Sequence, residues 1–122
     1  MTPKRSLQFT FIGAGEGGGR MAAAFGRMKY RAGAINTAQA DLGKLRLPQA
    51  HKLVTPIGAG GAGQDPALGR KAVLLHEPKV RAFLQALTQD ADHVILCVGG
   101  GGGTGTGMAP ELVRFLREMK RT

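Results

Sequence analysis

Nine consecutive residues, Gly99-Gly100-Gly101-Gly102-Gly103-Thr104-Gly105-Thr106-Gly107, could do chemistry without one ionisable side chain. They follow the apolar stretch Val94-Ile95-Leu96-Cys97-Val98 and precede the helical pattern Pro110 to Met119. A strand that empties into bare backbone and then a helix presents unblocked N–H groups at a positive helix end. That is chemistry for binding an anion, above all phosphate. Thr104 and Thr106 add hydroxyl donors. Two more glycine-rich runs occur, Gly13-Ala14-Gly15-Glu16-Gly17-Gly18-Gly19 and Gly58-Ala59-Gly60-Gly61-Ala62-Gly63.

The first run fits G-x-G-x-x-G after a strand and before a helix, a pattern of dinucleotide sites. The NAD form expects an acidic residue at the end of the second strand to hold the ribose, but this strand ends in Ile35-Asn36 and the next acid is Asp41. An NAD(P)- or FAD-binding module of an oxidoreductase therefore stands as an alternative supported by this loop alone. No G-x-x-x-x-G-K-[ST] occurs, so phosphate binding must rely on main-chain N–H groups. His51, His76 and His93 are isolated and have no second metal ligand at helical or hairpin spacing. Cys97 lies in an apolar strand and Ser6 near the terminus, so neither reads as a nucleophile. Asp90 and Asp92 are explained by a helix-ending turn.

These loops need elements to position them. Leu7 to Ile12 reads as a first strand, and Met21, Ala24, Phe25 and Met28 recur at helical spacing from Arg20 to about Lys29. Ala34-Ile35-Asn36 is a second strand, followed by a short helix over Thr37 to Leu42 with Thr37 as its cap. Lys52-Leu53-Val54 is a third strand. Asp65 caps a helix that has Pro66 at its first position and carries Leu68, Ala72 and Leu75. Pro78 predicts a break at His76-Glu77, after which Val80, Phe83, Leu84 and Leu87 resume a helical stripe. His93 to Val98 is a fourth strand, and Leu112, Val113, Leu116 and Met119 form the buried face of a last helix. The alternation predicts an α/β, Rossmann-like parallel sheet with helices on both faces. Ligands in such folds bind beyond the carboxyl ends of the strands, which places the loops at 13–19, 58–63 and 99–107 on one edge as a phosphate cradle.

Composition sets the bounds. The chain has 122 residues, 43% of them apolar, enough for one core. Its twenty glycines are clustered, which excludes a collagen-like repeat. A single cysteine excludes a disulfide framework, and no apolar run approaches a membrane span, so a cytoplasmic protein is expected. The net charge of +9 is concentrated in the first half, where Glu16 and Asp41 are the only acids before Asp65. That surplus admits a nucleic-acid partner but equally suits a solvated basic face.

Gly101-Gly102-Gly103-Thr104-Gly105-Thr106-Gly107 resembles the G-G-G-T-G-T-G signature of the tubulin/FtsZ family, and Ala109-Pro110 matches its bacterial branch. Ile12 to Gly19 resembles the family's first phosphate loop and Ile35-Asn36-Thr37 the segment after its second strand. Gly58-Ala59-Gly60-Gly61 with Leu68-Gly69-Arg70-Lys71-Ala72 resembles the third loop and its helix. The resemblance implies GTP or GDP as ligand, with Mg2+ held through the phosphates, in a homopolymer that has nucleotide between subunits. By that resemblance Gly15, Glu16, Gly17, Gly18, Gly19 and Arg20 hold phosphate with Gly101 to Gly107, Asn36 lies at the site, and Gly58, Ala59, Gly60 and Gly61 sense the terminal phosphate. Cell division or DNA segregation is the implied role.

Four departures mark a divergent member: Glu16 for a usual glycine, Arg20 for asparagine or glutamine, Ala38 for a common aspartate, and a third loop lengthened by Ala62-Gly63-Gln64-Asp65. The family's GTPase domain continues with a base-binding segment, a long central helix and an acidic catalytic loop. Residues 1–122 are therefore expected to be the N-terminal portion of such a domain, with weak or absent turnover alone.

Overall fold

The computed structural model describes residues 7–57, 65–99 and 104–121. Strands β1 (Phe9–Ala14), β2 (Arg31–Asn36), β3 (Lys52–Val54) and β4 (His93–Val98) form a four-stranded sheet in the order β3-β2-β1-β4, with every pairing parallel. The strand expectations hold, with β1 displaced two residues toward the C-terminus and β2 three residues longer at its start. Helix α1 (Gly15–Arg27) joins β1 to β2, and α2 (Gln39–Gly43) with a 3-10 turn at Gln49–His51 leads to β3. Helices α3 (Pro66–Leu75) and α4 (Glu77–Leu87) carry the chain from β3 across to β4, and α5 (Thr104–Glu118) follows β4.

The sheet is covered on both faces, because a parallel sheet whose strands are apolar throughout needs two layers. One core joins Ile12 and Ile35 to Val73, Val80, Leu84, Met108, Leu112 and Phe115 of α3, α4 and α5. The other joins Phe11, Ala32 and Cys97 to Ala22 of α1, with Phe25 and Leu47 at its margin. Phe11 and Phe25 stack there at 3.9 Å between ring centroids. Cys97 is buried, as its strand position predicts, and that burial pushes its thiol above the usual range.

Two helices differ from the periodicity reading. α1 begins at Gly15, not Arg20, and buries Gly15, Gly18, Gly19, Ala22 and Ala23 while Met21 and Met28 are exposed. The helix lies too close to the sheet for large side chains: a Cβ on Gly18 would run into the Cys97 carbonyl. α5 begins six residues before Pro110 and buries Met108 and Phe115 with Leu112 and Leu116, leaving Val113 and Met119 partly exposed. On α3, Leu75 is exposed and Val73 takes the buried place.

Capping behaves more simply. Asp65 caps α3 by accepting from the Ala67 N–H at 3.0 Å, and the α3–α4 break falls at His76. Thr37 does not cap α2; Ala38 occupies that position, and the Asn36 side chain forms the turn by accepting from the Ala38 N–H.

Candidate functional site

Three helix N-termini meet at the carboxyl edge of the sheet. β1 passes into α1 without a loop: Ala14 is extended and Gly15, at φ +78°, turns the chain into the helix. No side chain caps α1, so its first-turn N–H groups at Gly15, Glu16 and Gly17 lie beyond the reach of intrahelical carbonyls. The start of α5 packs directly on this turn. A Cβ on Gly15 would lie 2.7 Å from the Gly105 nitrogen, and one on Gly105 would strike the Ala14 carbonyl.

The start of α3 packs on α5 in the same manner. A Cβ on Gly107 would collide with the Pro66 backbone, and one on Gly69 with the backbone of Thr104. Gly105, Gly107 and Gly69 therefore serve the approach of one backbone to another. Each helix end carries about half a positive charge; that of α3 is answered by its own Asp65 carboxylate, so the uncapped start of α1 beside the start of α5 makes the anion-attracting part of this edge.

An ionic contact locks α3 to α5. Glu111, mostly buried, accepts from Arg70 of α3 at 3.1 Å and from Arg114 at 2.9 Å. The Arg114 and Arg70 guanidiniums hold its carboxyl below the ordinary value of 4.5. A carboxylate depressed in the folded state contributes stability above the unfolded value and loses it as pH falls through the folded one. Glu111→Gln is expected to lower the melting temperature at pH 7, with the difference from wild type shrinking below pH 4.5. A constant difference down to pH 3 would show that the charge is not what matters.

The predicted site residues fall into three groups. Gly15, Glu16 and Gly17 form the first turn of α1, while Gly18 and Gly19 lie on its buried face. Thr104, Gly105 and Gly107 are buried in the first turns of α5, and Thr106 is exposed. Gly58, Ala59, Gly60 and Gly61, and Gly101, Gly102 and Gly103, lie outside the described residues.

Asn36 is at the edge, but its amide is occupied, accepting from the Ala38 N–H at 3.1 Å and donating to Asp41 at 3.4 Å. It shapes the β2 exit. Arg20 donates to Glu16 at 2.9 Å, so two of the departures from the family pattern pair with each other on the exposed side of α1. With Asp41, Lys44 and Leu45 they line a shallow depression between α1 and α2. The pair brings a cation to the α1 entrance while neutralising a carboxylate that would otherwise oppose an anion.

The histidines are structural. The His51 ring nitrogen Nδ1 lies 3.0 Å from the Ala32 carbonyl, and burial, with Arg31 nearby, lowers its pKa. His76 Nε2 lies 2.9 Å from the Pro56 carbonyl, and His93 stacks on Phe9. Among the described residues no group of His, Cys, Asp and Glu could hold a metal ion, and no helix is long and apolar enough to cross a membrane.

Residues 8–122 match the GTPase domain of the Tubulin/FtsZ family. The chain belongs to this family. It is 35% identical over 118 residues to the tubulin-like protein CetZ of Pyrococcus abyssi, covering 92% of this chain and 32% of that protein. It is 31% identical over 125 residues to the tubulin-like protein TubZ of Bacillus cereus, covering 93% and 29%. CetZ2 of Haloferax volcanii, solved as a GTPγS-bound protofilament, superposes with a TM-score of 0.76 at 30% identity, covering 92% of this chain and 36% of that one. CetZ of Methanosaeta thermophila shares the fold, with a TM-score of 0.82 at 24% identity over 93% of this chain and 33% of that one. The chain thus spans about a third of the length of these tubulin/FtsZ relatives.

Proposed function

We propose that this tubulin/FtsZ-family chain binds the phosphates of GTP or GDP at the edge where α1, α3 and α5 converge. The observation that carries the reading is the direct backbone contact of Gly15 with Gly105, which sets the positive ends of α1 and α5 side by side, while Pro66 against Gly107 holds α3 to α5. Gly15, Glu16 and Gly17 would supply main-chain donors from α1, and Thr104 to Gly107 would supply them from α5. Gly18 and Gly19 would hold α1 against the sheet. Arg20 would add a side-chain cation at the entrance, and Asn36 would hold the β2 exit in shape. Gly58 to Gly61 and Gly101 to Gly103 complete the cradle in this reading.

Bound GTP would bring its own Mg2+ through the phosphates, since among the described residues no group of carboxylates is arranged to hold a metal ion. The role that follows is nucleotide-dependent assembly with further copies in the cytoplasm, serving cell division or DNA segregation. A dinucleotide reading has less behind it: β2 ends in Asn36, whose side chain is already engaged and carries no charge for a ribose.

Competition separates the readings. A fluorescent GTP analogue is expected to bind the purified chain with Mg2+ and to be displaced by GTP and GDP, but not by NAD. Displacement by NAD, or binding lost in moderate salt in favour of nucleic acid, would overturn the proposal.

A further inference from the structure

The chain divides its cations by face. On the α3–α5 side, Arg70, Arg81 and Arg114 pair with Glu77, Glu111 and Glu118. On the α1 side, Arg20 pairs with Glu16, and Arg31 donates to the Leu87 and Ala86 carbonyls of α4. Arg27, Lys29 and Arg46 are exposed, and their side chains have no partner among the described residues. The acids of this half of the chain, Glu16 and Asp41, are engaged elsewhere by Arg20 and Asn36.

Packing gathers these three cations around the C-terminal end of α1. Arg27 closes the helix, and in the turn beyond it the Lys29 N–H donates to the Gly26 carbonyl and the Tyr30 N–H to the Phe25 carbonyl. The connector from α2 runs alongside: a Cβ on Gly19 would lie 3.1 Å from Leu45, and one on Gly26 would lie 3.2 Å from Leu47. With Leu45 and Leu47 turned onto α1, Arg46 between them is left on the outside.

An aromatic ring stands among the cations. Tyr30 is 43% exposed, and Phe9, Phe11 and Phe25 brace its ring at 5.2 to 6.4 Å between centroids. Unpaired cations around a braced, part-exposed ring suit a single strand of nucleic acid, whose phosphates meet the cations while its bases stack on the aromatic without regard to sequence. A duplex keeps its bases inside and has no use for the ring. An anionic bilayer takes in apolar side chains that are free to enter it, and here Met28 alone is exposed beside a tyrosine pinned by three rings.

We propose that Arg27, Lys29, Arg46 and Tyr30 form a surface for single-stranded nucleic acid, the cations on phosphates and the tyrosine ring against a base. α1 is 13 residues long, so this surface stands about 20 Å from the turn at Gly15 and is independent of the nucleotide reading.

Tyr30 is the chain's one tyrosine and there is no tryptophan, so intrinsic fluorescence reports on this surface. Titration of the full chain with a short oligothymidylate at low salt, corrected for absorption by the DNA, is expected to quench it saturably, while GTP with Mg2+ leaves it unchanged. Each phosphate contact on a single strand contributes about −0.7 to the slope of log affinity against log salt, so three give about −2. Arg46→Gln and Lys29→Asn should each weaken that slope by about 0.7 at an unchanged melting temperature, asparagine being at ease at the φ of +75° that Lys29 adopts. A tyrosine that stays unquenched, a slope unaltered in both variants or equal quenching by GTP overturns the inference. Binding to phosphatidylserine vesicles without binding to the oligonucleotide overturns it as well.

Discussion

Gly15→Ala is expected to lose both the response to nucleotide and a large part of the folding stability. Gly15 sits at φ +78°, where an L side chain costs about 1–2 kcal/mol. The added Cβ would also press to 2.7 Å from the Gly105 nitrogen, a backbone atom that yields only if α5 moves. Overpacking of this kind adds roughly 1–3 kcal/mol, against a total of about 5–15 kcal/mol for a domain. Because the relaxation available is separation of the α1 and α5 N-termini, the convergence proposed to attract the anion is lost with the contact. Gly43→Ala is the matched control: nothing lies within 4 Å of its Cβ, and stability should hold or rise. Urea midpoints of the two variants make the comparison, and equal midpoints would show that the Gly15–Gly105 approach is dispensable.

Phe115→Ala is expected to cost about 3–5 kcal/mol, the range for deleting a fully buried aromatic ring. Phe115 is 0% exposed and joins α5 to the core that α3 and α4 share with Ile12 and Ile35. Its ring also carries the guanidiniums of Arg81 at 4.3 Å and Arg114 at 4.8 Å, and both arginines pair with Glu118. The loss would therefore release a surface network along with the core. Phe115→Leu should recover most of the stability, and chemical denaturation monitored by circular dichroism reads both. A change under 1 kcal/mol for alanine would mean that α5 is not held by this core.

What the sequence could show depended on the kind of signal. Three of the four strands are legible because short β-prone runs end at or beside glycine or asparagine, β3 because its run stops just before Thr55-Pro56, and the bounds of β4, His93–Val98, match the reading. The start of α3 was legible because Asp65-Pro66 states a cap and a first turn chemically. The starts of α1 and α5 were not. Their first turns are rich in glycine and threonine, residues that read as loop by propensity, and close backbone packing at Gly15, Gly18, Gly105 and Gly107 admits nothing larger at those positions. For the same reason the stripe Met21, Ala24, Phe25 and Met28 misassigned the buried face of α1, whose inner side is glycine and alanine.

The site shows a similar division. The edge of the sheet was predictable from the positions of the glycine loops, since topology alone sends them there. The contact of α3 with α5 and the occupied amide of Asn36 are tertiary facts.

The site proposed above is a phosphate site formed where the starts of α1 and α5 meet. Isothermal titration calorimetry of the 122-residue chain with GTP at fixed Mg2+, beside NAD under the same conditions, tests it most directly. Saturable GTP binding at about one site per chain, abolished by Gly15→Ala and unmatched by NAD, is the predicted result. NAD binding in preference to GTP, or GTP binding that survives Gly15→Ala unchanged, would contradict the account.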